Sequence, residues 1–395
     1  MAKVFYAWEF GANLGHIGCF LPLARALRDK GHQVTWAVNA PHLATRLLDR
    51  EGFTWLQAPT MPEQPRQGPP LSYADILLRF GYATPSDLLG LTIAWRELMQ
   101  LTGAQVILAD HAPTAQLAAR TLNIPTVLFG SGFYIPPRCT PTPNMRPWQT
   151  MPASQFAAIE QPALASINAV LARFDQPPIA GVAQLFDVAE DTLLGFPELD
   201  HYPNRGPARY WGNLPDAGVG APAPWPDTPG QRIFAYLRNE TCHHETALRA
   251  LQALGQPTVV FFPDASAALM SRFAAPHLVF TQAPVDLNRT GQEAAAAITY
   301  GSLSTTTRFL LAGKPVVLLP SHLEQFLMAR RVEEMGGGLL VNPEKPADDL
   351  LQKLQRVLFD PFFAANAQAF ARKYAAFPQE VVINNLVRRI EELCP

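Results

Sequence analysis

Cysteine is scarce in this sequence. The 395 residues contain four cysteines, at positions 19, 139, 242 and 394, and no two of them form a C-x-x-C pair. Such scattered cysteines predict neither a disulfide framework nor a structural zinc site. We therefore expect a protein of a reducing compartment, the cytoplasm.

Long apolar runs and an excess of one charge are lacking as well. No stretch approaches the roughly 18 consecutive apolar residues of a transmembrane helix, and the first residues lack the basic and apolar regions of a secretory signal. The 31 basic and 33 acidic residues leave a net charge of −2, which gives no attraction for nucleic acid or an anionic membrane. We expect no transmembrane segment and no nucleic-acid partner.

Apolar residues are plentiful, and their pattern alternates between two kinds of element. Hydrophobic residues make up 48% of the chain and charged residues 16%, which is enough for the cores of two domains. The sequence predicts a strand over Lys3–Trp8, a helix over Leu21–Asp29 and a strand over Gln33–Val38. The alternation restarts at Arg232, after a stretch at 213–231 that is rich in Pro, Gly and Ala. This alternation predicts an α/β protein with parallel sheets.

The segment from Ile298 to Gly338 is the most informative part of the chain. Its apolar runs and polar turns predict a strand, a helix, a second strand and a second helix, with polar residues at the strand ends. The turn at 301–305, GSLST, enters a helix and offers backbone N–H groups and hydroxyls to an anion such as a diphosphate. Many polar turns at strand ends hold no ligand, so this pattern alone indicates a nucleotide site only in general terms.

The spacing within this segment resembles the donor-sugar signature of the UDP-glycosyltransferase superfamily. That signature runs His-Gly-Gly-x-Gly-Thr, a helix, Gly-x-Pro, a strand ending in Pro, and Asp/Glu-Gln after a gap of three residues. The matching positions are Gly301, Thr305, Gly313, Pro315, Pro320, Glu324 and Gln325. Ser302 and Ser304 replace glycine, and Tyr300 replaces the histidine.

The resemblance implies a fold, an activity and a domain plan. The fold is GT-B, with two Rossmann-like domains facing each other across a cleft, of the bacterial macrolide and flavonoid glycosyltransferase type. The activity is inverting transfer of a sugar from a UDP- or dTDP-sugar to a hydroxyl of a small, apolar or aromatic acceptor, with no metal or other cofactor. The expected parts are an acceptor domain at 1–214, a linker at 215–230, a nucleotide-sugar domain at 231–376 and a terminal helix at 377–395 that packs back on the first domain.

Two residues in the first part of the chain, His16 and Asp110, are candidates for catalysis. Gly15-His16, a helix and Gly31-His32 are similar to the opening of these enzymes, and His16 falls on the position of their catalytic base. Imidazole suits this role because its pKa lies near neutrality. Asp110, at the end of an apolar strand, falls on the position of the residue that supports the base. The alternatives are a local hydrogen bond for His16 and capping of the next helix by Asp110.

The resemblance also assigns the donor site. The diphosphate is expected at Tyr300, Gly301, Ser302, Ser304, Thr305 and Arg238, the nucleotide base at Gln282, Ala283 and Val285, and the sugar at Glu324 and Gln325. Tyr300 can donate one hydrogen bond but cannot become cationic near neutral pH, so another cation such as Arg238 is expected to help. We interpret Arg308 as a solvated helix residue. Glu324 and Gln325 could instead simply face water at a helix start.

Three other interpretations stay open at this point. The changes at Gln282, Tyr300 and Ser302 could mean a different donor. The chain could be a binding protein of this fold that has lost transfer, although His16 and Asp110 argue against that. It could be a sugar-nucleotide epimerase of the same fold, which would place carboxylates in the cleft. The run at 242–245, CHHE, is interpreted as a loop and a helix start rather than a metal site, because adjacent residues rarely converge on one ion.

Overall fold

The chain folds into two compact units. The computed structural model describes residues 1–11, 14–214 and 220–394. The first unit comprises Met1–Leu194, Tyr202–Ala217 and Gln379–Pro395, and the second comprises Gly195–His201 and Gly218–Pro378. Residues 215–219 of the predicted linker lie outside the described residues.

Strands and helices alternate in both units. The strands are β1 (Lys3–Trp8), β2 (Gln33–Val38), β3 (Thr54–Gln57), β4 (Val106–Asp110), β5 (Thr126–Gly130), β6 (Glu190–Leu193), β7 (Ile233–Tyr236), β8 (Thr258–Phe261), β9 (Leu278–Thr281), β10 (Ala296–Thr299), β11 (Val316–Leu318) and β12 (Gly338–Leu340). The α-helices are α1 (Leu14–Asp29), α2 (Pro41–Glu51), α3 (Tyr73–Leu77), α4 (Pro85–Thr102), α5 (Pro113–Thr121), α6 (Ala153–Arg173), α7 (His244–Leu254), α8 (Ala267–Arg272), α9 (Leu287–Glu293), α10 (Leu303–Leu311), α11 (Leu323–Glu334), α12 (Leu350–Phe359), α13 (Pro361–Lys373) and α14 (Gln379–Leu393). Short 3-10 helices span Val182–Phe186 and Pro197–Leu199.

The first unit is built on a six-stranded sheet in the order β3-β2-β1-β4-β5-β6. All neighbours are parallel, and β1 lies in the middle, where Ala7 pairs with Ala37 on one side and Ala109 on the other. Every residue of β4 and β5 is buried. Strands buried on both faces are apolar along their whole length, which explains why they appear in the sequence as continuous apolar runs.

The second unit repeats the same topology. Its six parallel strands follow the order β12-β11-β10-β7-β8-β9. Numbered along its own part of the chain, this order matches that of the first unit, and both match the arrangement of a dinucleotide-binding sheet. The predicted α/β class with two Rossmann-like domains is therefore confirmed.

Each sheet has one point where the strand order reverses. This point lies between β1 and β4 in the first unit and between β7 and β10 in the second. Ligands of open parallel sheets bind outside the carboxyl ends of the strands at such a point. The fold therefore brings the residues that follow these four strands together, in one pair per unit.

Local signals set both ends of α4. Thr84 caps α4 by accepting a hydrogen bond from the backbone N–H of Asp87, and Pro85 is its first residue. Gly103 ends the same helix in the left-handed region, with φ +64°. Proline at the first position and glycine after the last are the ends expected of a helix.

The first helix starts earlier than predicted. α1 begins at Leu14 rather than Leu21, and Pro22 lies inside it. Proline and the glycines before it are poor helix formers, so the sequence pattern favoured a later start. The helix forms because Ile17 and Phe20 are completely buried, and tertiary packing outweighs intrinsic propensity.

The unit boundaries differ from the predicted domains in two places. Gly195–His201 belongs to the second unit, although it lies within the predicted range 1–214. Part of the predicted linker is also packed, because Ala221 pairs with Val285 in an isolated bridge and Ala223 joins the hydrophobic core of the second unit. The apolar residues between the prolines explain why this stretch is fixed in place.

The last helix belongs to the first unit. α14 packs against α1. Glu391 on α14 lies 3.0 Å from His32 Nε2, and the guanidinium of Arg389 donates to Glu190 at 2.8 Å. These contacts attach α14 to the turn between α1 and β2 and to the start of β6.

Candidate active site

The two predicted catalytic residues meet in the first unit. His16 lies in the first turn of α1, after β1, and Asp110 is the last residue of β4, paired in register with Trp8. His16 Nδ1 lies 2.9 Å from Asp110 Oδ2. Both residues are buried, with 8% and 3% of their surface exposed. The reversal point of the first sheet therefore carries a buried imidazole–carboxylate pair.

Asp110 is also bound by Tyr6. The phenol of Tyr6 lies 2.6 Å from Asp110 Oδ2 and 3.1 Å from the carbonyl oxygen of His16. Burial, and then the charge of Asp110, raise the pKa of Tyr6 well above its ordinary value, so its hydroxyl remains a donor. The alternative in which Asp110 caps α5 is wrong, since Ala112 is the N-cap residue and Glu9 Oε2 accepts from the N–H of Thr114.

The arrangement of the pair determines which imidazole nitrogen is basic. A carboxylate can only accept, so Nδ1 of His16 carries the proton that faces Asp110, and Nε2 keeps its lone pair. Nε2 faces Gly11, where an added Cβ would stand 2.7 Å from it. Gly11 has a φ of +91°, which favours glycine for a second reason.

Trp8, Tyr134 and His111 form a column of rings with His16, which the motif spacing did not predict. Trp8 lies on one side of the His16 ring, with centroids 4.8 Å apart and planes at 20°. Tyr134 lies 5.4 Å from His16, at 37°. His111 in turn stacks on Tyr134 at 4.3 Å and 24°. The position of Trp8 at the end of β1 was the one available signal, because strand ends border the ligand edge of such a sheet.

His111 is held in an unusual state. It has a φ of +46°, which is rare for any residue other than glycine. Burial, and then the proximity of His16, lower its pKa well below the ordinary value. Its two ring nitrogens are buried and have no hydrogen-bond partner among the described residues. His111 is therefore a neutral imidazole next to the pair.

Tyr300 and Tyr236 meet at the reversal point of the second unit. Tyr236 ends β7 and Tyr300 follows β10, and their rings make an edge contact with centroids 4.9 Å apart. Burial, and then the neighbouring phenol of Tyr236, raise the pKa of Tyr300 above its ordinary value. Tyr300 is therefore a neutral donor at any ordinary pH, and positive charge must come from elsewhere.

Arg238 is a cation that interacts with Tyr236 and Tyr300, and two carboxylates lie near it. Its Nε lies 3.5 Å from Glu240 Oε1 and 3.9 Å from Asp264 Oδ2. The side chain is about one quarter exposed, at 25%. Arg308, the other candidate, donates from Nη1 to Asn288 Oδ1 at 2.9 Å. Arg238 is thus close to Tyr236 and Tyr300, but it shares its charge with Glu240 and Asp264.

The predicted diphosphate turn closes tightly on α11. Gly301 has a φ of +87°, and an added Cβ would stand 3.2 Å from the Cβ of Gln325. Ser302 is the N-cap of α10, and its buried hydroxyl has no hydrogen-bond partner within the described chain. Thr305 is buried in the first turn. The first turn of α10 begins at Leu303 and presents its backbone N–H groups at the N-terminal end of the helix.

Ser321 ties two loops of the site together, and the sequence did not single it out. Its hydroxyl donates to the carbonyl of Glu240 at 2.7 Å and accepts from the N–H of Cys242 at 3.0 Å. Its own N–H donates to Gln325 Oε1 at 2.8 Å, next to Glu324 in the first turn of α11. β10 lies between β7 and β11 in the sheet. Because Ser321, which follows β11, binds the loop after β7, that loop crosses the carboxyl end of β10, where Tyr300 is the next residue.

The predicted base-binding residues lie at the end of β9, across β7 and β8 from Tyr300. Gln282 is exposed, and its amide donates to the carbonyls of Ala265 at 2.9 Å and Pro263 at 3.3 Å. Ala283 is exposed as well, and its N–H donates to Thr281 Oγ1. Val285 differs, because its side chain is part of the hydrophobic core. Only its backbone can contact a ligand.

Within the described residues, no three His, Cys, Asp or Glu side chains are grouped to hold a metal ion. The run at 242–245 is a loop followed by the start of α7 at His244. Among the helices of the described ranges, none is both long and apolar enough to cross a membrane.

Comparison with known proteins gives three kinds of match. Residues 245–392 match the family described as erythromycin biosynthesis protein CIII-like, C-terminal domain. A PGL/p-HBAD biosynthesis glycosyltransferase of Mycobacterium tuberculosis is 24% identical over 398 residues, covering 94% of this chain and 89% of the relative.

Two solved structures share the fold over nearly the whole chain. The glycosyltransferase VinC in complex with dTDP is 21% identical, with a TM-score of 0.65, and the match covers 99% of this chain and 100% of VinC. The spinosyn rhamnosyltransferase SpnG in complex with spinosyn aglycone is 20% identical, with a TM-score of 0.67 and the same coverage of 99% and 100%. At this identity the two structures show the fold, which is GT-B as predicted. The family match over residues 245–392 and the relative that is similar over nearly the whole chain agree with the resemblance of the signature residues to the UDP-glycosyltransferase superfamily.

Proposed function

We propose that the protein transfers a sugar, with inversion, from a nucleoside diphosphate sugar to a hydroxyl of a small and largely apolar acceptor. The observation that carries the proposal is the buried His16–Asp110 pair, at 2.9 Å, with Nε2 as the basic nitrogen. A non-catalytic binding protein has no use for such a pair. Burying an imidazole and a carboxylate costs stability. A protein that carries such a pair is therefore expected to use it.

The reaction follows from the chemistry of this pair. Nε2 of His16 removes the proton from the acceptor hydroxyl, and Asp110 stabilises the imidazolium that forms. The acceptor oxygen forms a bond to the anomeric carbon on the face opposite the diphosphate. The bond from that carbon to the diphosphate oxygen breaks, and the nucleoside diphosphate leaves with the electron pair. A single displacement of this kind inverts the anomeric centre.

The second unit supplies groups suited to the leaving diphosphate. Arg238 carries positive charge, and the first turn of α10 offers backbone N–H groups from Leu303 to Thr305. Tyr300 and Ser302 add hydroxyls. Because these groups can balance the charge that develops, we propose that transfer needs no metal ion and continues when EDTA is added. Glu324 and Gln325 are proposed to hold the hydroxyls of the sugar.

The relatives guide the choice of donor and acceptor. The structure of VinC contains dTDP and that of SpnG contains spinosyn aglycone. We therefore propose a dTDP-sugar ahead of a UDP-sugar, and a small apolar aglycone as acceptor. The aromatic residues around His111, which include Phe10, Tyr73 and Phe133, suit an apolar acceptor.

Calorimetry with dTDP, UDP and GDP tests the donor assignment. We expect binding of dTDP, weaker binding of UDP and none of GDP. If no nucleotide bound, the donor assignment would be rejected.

A second experiment tests the base. His16→Ala should slow transfer about 10²- to 10⁴-fold and leave nucleotide binding unchanged. His42→Ala, an exposed histidine of α2 in the same unit, is the control and should change neither. If His16→Ala abolished nucleotide binding instead, His16 would be a ligand contact and not the base.

A further inference from the structure

We propose that the column Trp8–His16–Tyr134–His111 sets the pKa of His16, with Trp8 as the positioning residue that stabilises its cationic form. This inference rests on the proposed role of His16 as the base, but it concerns a property that can be measured without turnover. The column is defined by the three ring contacts of 4.8, 5.4 and 4.3 Å.

Trp8 is placed to interact with a charge on the His16 ring. The two rings are nearly parallel, at 20°, so the imidazole lies over the face of the indole. The face of an aromatic ring carries partial negative charge and attracts a cation, and tryptophan does so most strongly. Trp8 is completely buried, and a cation–π contact is stronger when water is excluded.

The indole is itself fixed in place. Trp8 Nε1 donates a hydrogen bond of 2.7 Å to the carbonyl of Phe10. Its orientation therefore does not depend on His16, and it can hold the imidazole ring against rotation. Asp110 fixes the ring within its plane through Nδ1, at 2.9 Å, while Trp8 and Tyr134 restrain it from its sides. Nε2 then keeps one direction, toward Gly11.

Within the described part of the chain, titratable groups from several elements lie around this ring. Asp110 contacts it from β4, and Tyr6, which is bound to Asp110, comes from β1. Cys19, on α1, interacts with Tyr6. Tyr134 and His111 also belong to this group, and because His111 stays neutral, the positive charge of the column collects on His16. Asp110 and Trp8 therefore both favour the imidazolium.

A titration of His16 by NMR tests this directly. The ring signals of the nine histidines are recorded against pH, and the His16 signal is identified by its loss in His16→Ala. In Trp8→Leu the apolar surroundings remain but the aromatic face is removed, so the pKa of His16 should fall by about 0.4 to 1.5 units. Trp8→Phe keeps a weaker face and should give a smaller fall.

Trp95→Leu is the matched control. Trp95 is also completely buried in the first unit, but it packs against Phe5 and belongs to no contact with His16. It should lose stability without moving the titration of His16. If Trp8→Leu does not fold, the pKa of His16 in Trp8→Phe is the test of the proposal. An unchanged or raised pKa of His16 in the folded Trp8 variants would overturn the proposal.

The pH profile of kcat/KM separates this inference from the proposed function. If His16 is the base, the acidic limb of the profile should move to lower pH in the Trp8 variants by the same shift as in the NMR titration. If the NMR shift occurred and the limb did not move, the column would stand and the assignment of His16 as the base would fall.

Discussion

The phenol of Tyr6 donates a hydrogen bond of 2.6 Å to Asp110 Oδ2, the same oxygen that faces His16 at 2.9 Å. Asp110 Oδ1 is buried without a hydrogen-bond partner among the described residues. One carboxylate oxygen therefore receives two donors, and Tyr6 is the residue that keeps this oxygen turned toward His16.

Removing the phenol should loosen the pair. In Tyr6→Phe we expect a loss of stability of about 1.5 to 3 kcal/mol, because a hydrogen bond to a charged group is lost. We also expect transfer to slow about tenfold, equivalent to roughly 1.4 kcal/mol, because the carboxylate can turn away from Nδ1. Urea unfolding and steady-state kinetics measure the two effects.

Tyr82→Phe is the control for this prediction. Tyr82 is equally buried in the first unit, and its hydroxyl lies 3.1 Å from Thr114 Oγ1. This variant should lose stability but keep its transfer rate. Equal rates for both variants would contradict a role for Tyr6 in positioning Asp110.

A side chain at position 11 should block the base. In Gly11→Ala the new Cβ would stand 2.7 Å from His16 Nε2, the nitrogen that is proposed to accept the proton. We expect transfer to be lost while dTDP binding, measured by calorimetry, stays unchanged. The variant also loses about 1 kcal/mol or more of stability, because alanine is strained at a positive φ.

Gly31→Ala separates the block from the strain. Gly31 has a similar φ, +85° against +91°, but nothing lies within 4 Å of its added Cβ. It should show the loss of stability without the loss of transfer. If Gly11→Ala transferred sugar as fast as Gly31→Ala, Nε2 would not be the working nitrogen.

Loss of the cation in the second unit should weaken donor binding. In Arg238→Gln we expect the affinity for dTDP to fall about 10- to 100-fold, the value of a charged hydrogen bond, because Glu240 and Asp264 remain without their counter-charge. The affinity of the natural protein should also fall as salt is raised, and that of the variant should fall less.

Arg308→Gln is the matched control in the same unit. Arg308 donates to Asn288 Oδ1 from the side of α10, and its replacement should leave the affinity for dTDP within about twofold. Calorimetry at two salt concentrations compares the three proteins. Equal losses in both variants would show that only the overall charge of the unit matters.

Stability should depend on pH through Glu9. Burial raises the pKa of its carboxyl from the ordinary value of 4.5 to about 8, although Thr114 and Ala115 lower it in part. Between these two values the folded state holds a proton that the unfolded state has lost, so stability decreases as pH rises through this range. The decrease amounts to at most about 5 kcal/mol.

Glu9→Gln should remove this dependence. The free energy of unfolding of the natural protein and of Glu9→Gln is measured in urea at pH 5 and at pH 8.5. Relative to the natural protein, the variant should be more stable at pH 8.5 than it is at pH 5. Glu160→Gln is the control, because both oxygens of Glu160 accept backbone N–H groups, from Thr142 at 2.6 Å and Val182 at 2.9 Å. It should be destabilised at both pH values. A Glu9 difference independent of pH would contradict the raised pKa.

The pattern of apolar runs and turn residues along the sequence predicted the strands and helices of the fold. Lys3–Trp8 and Gln33–Val38 were predicted with the bounds that the structure has. Buried strands require continuous apolar residues and the turns between them require glycine or proline, so both signals are local. The start of α1 was missed because packing of Ile17 and Phe20 outweighs the weak helix propensity around Pro22.

The spacing of the motifs predicted some of the residues of the site. His16 and Asp110 were predicted because they fall on the positions of the base and its supporting residue in the family that the sequence resembles, and the strand order of the structure brings the ends of β1 and β4 to one edge. Gly301 and Gln325 were likewise predicted, and their contact was not. The spacing could not predict the ion pairs of Arg238, which involve Glu240 in its own loop and Asp264 in the loop after β8.

The sequence by itself determined the α/β class, the order of the elements, the resemblance to a family and the positions of the motif residues. Only the tertiary structure decided the surroundings of His16, in which Trp8, Tyr134 and His111 form one column and Tyr6 orients Asp110. The reason is physical. Hydrophobic periodicity and turn chemistry act between neighbours in the chain, whereas ring stacking and the charge state of a buried imidazole depend on groups that approach only after the strands have paired.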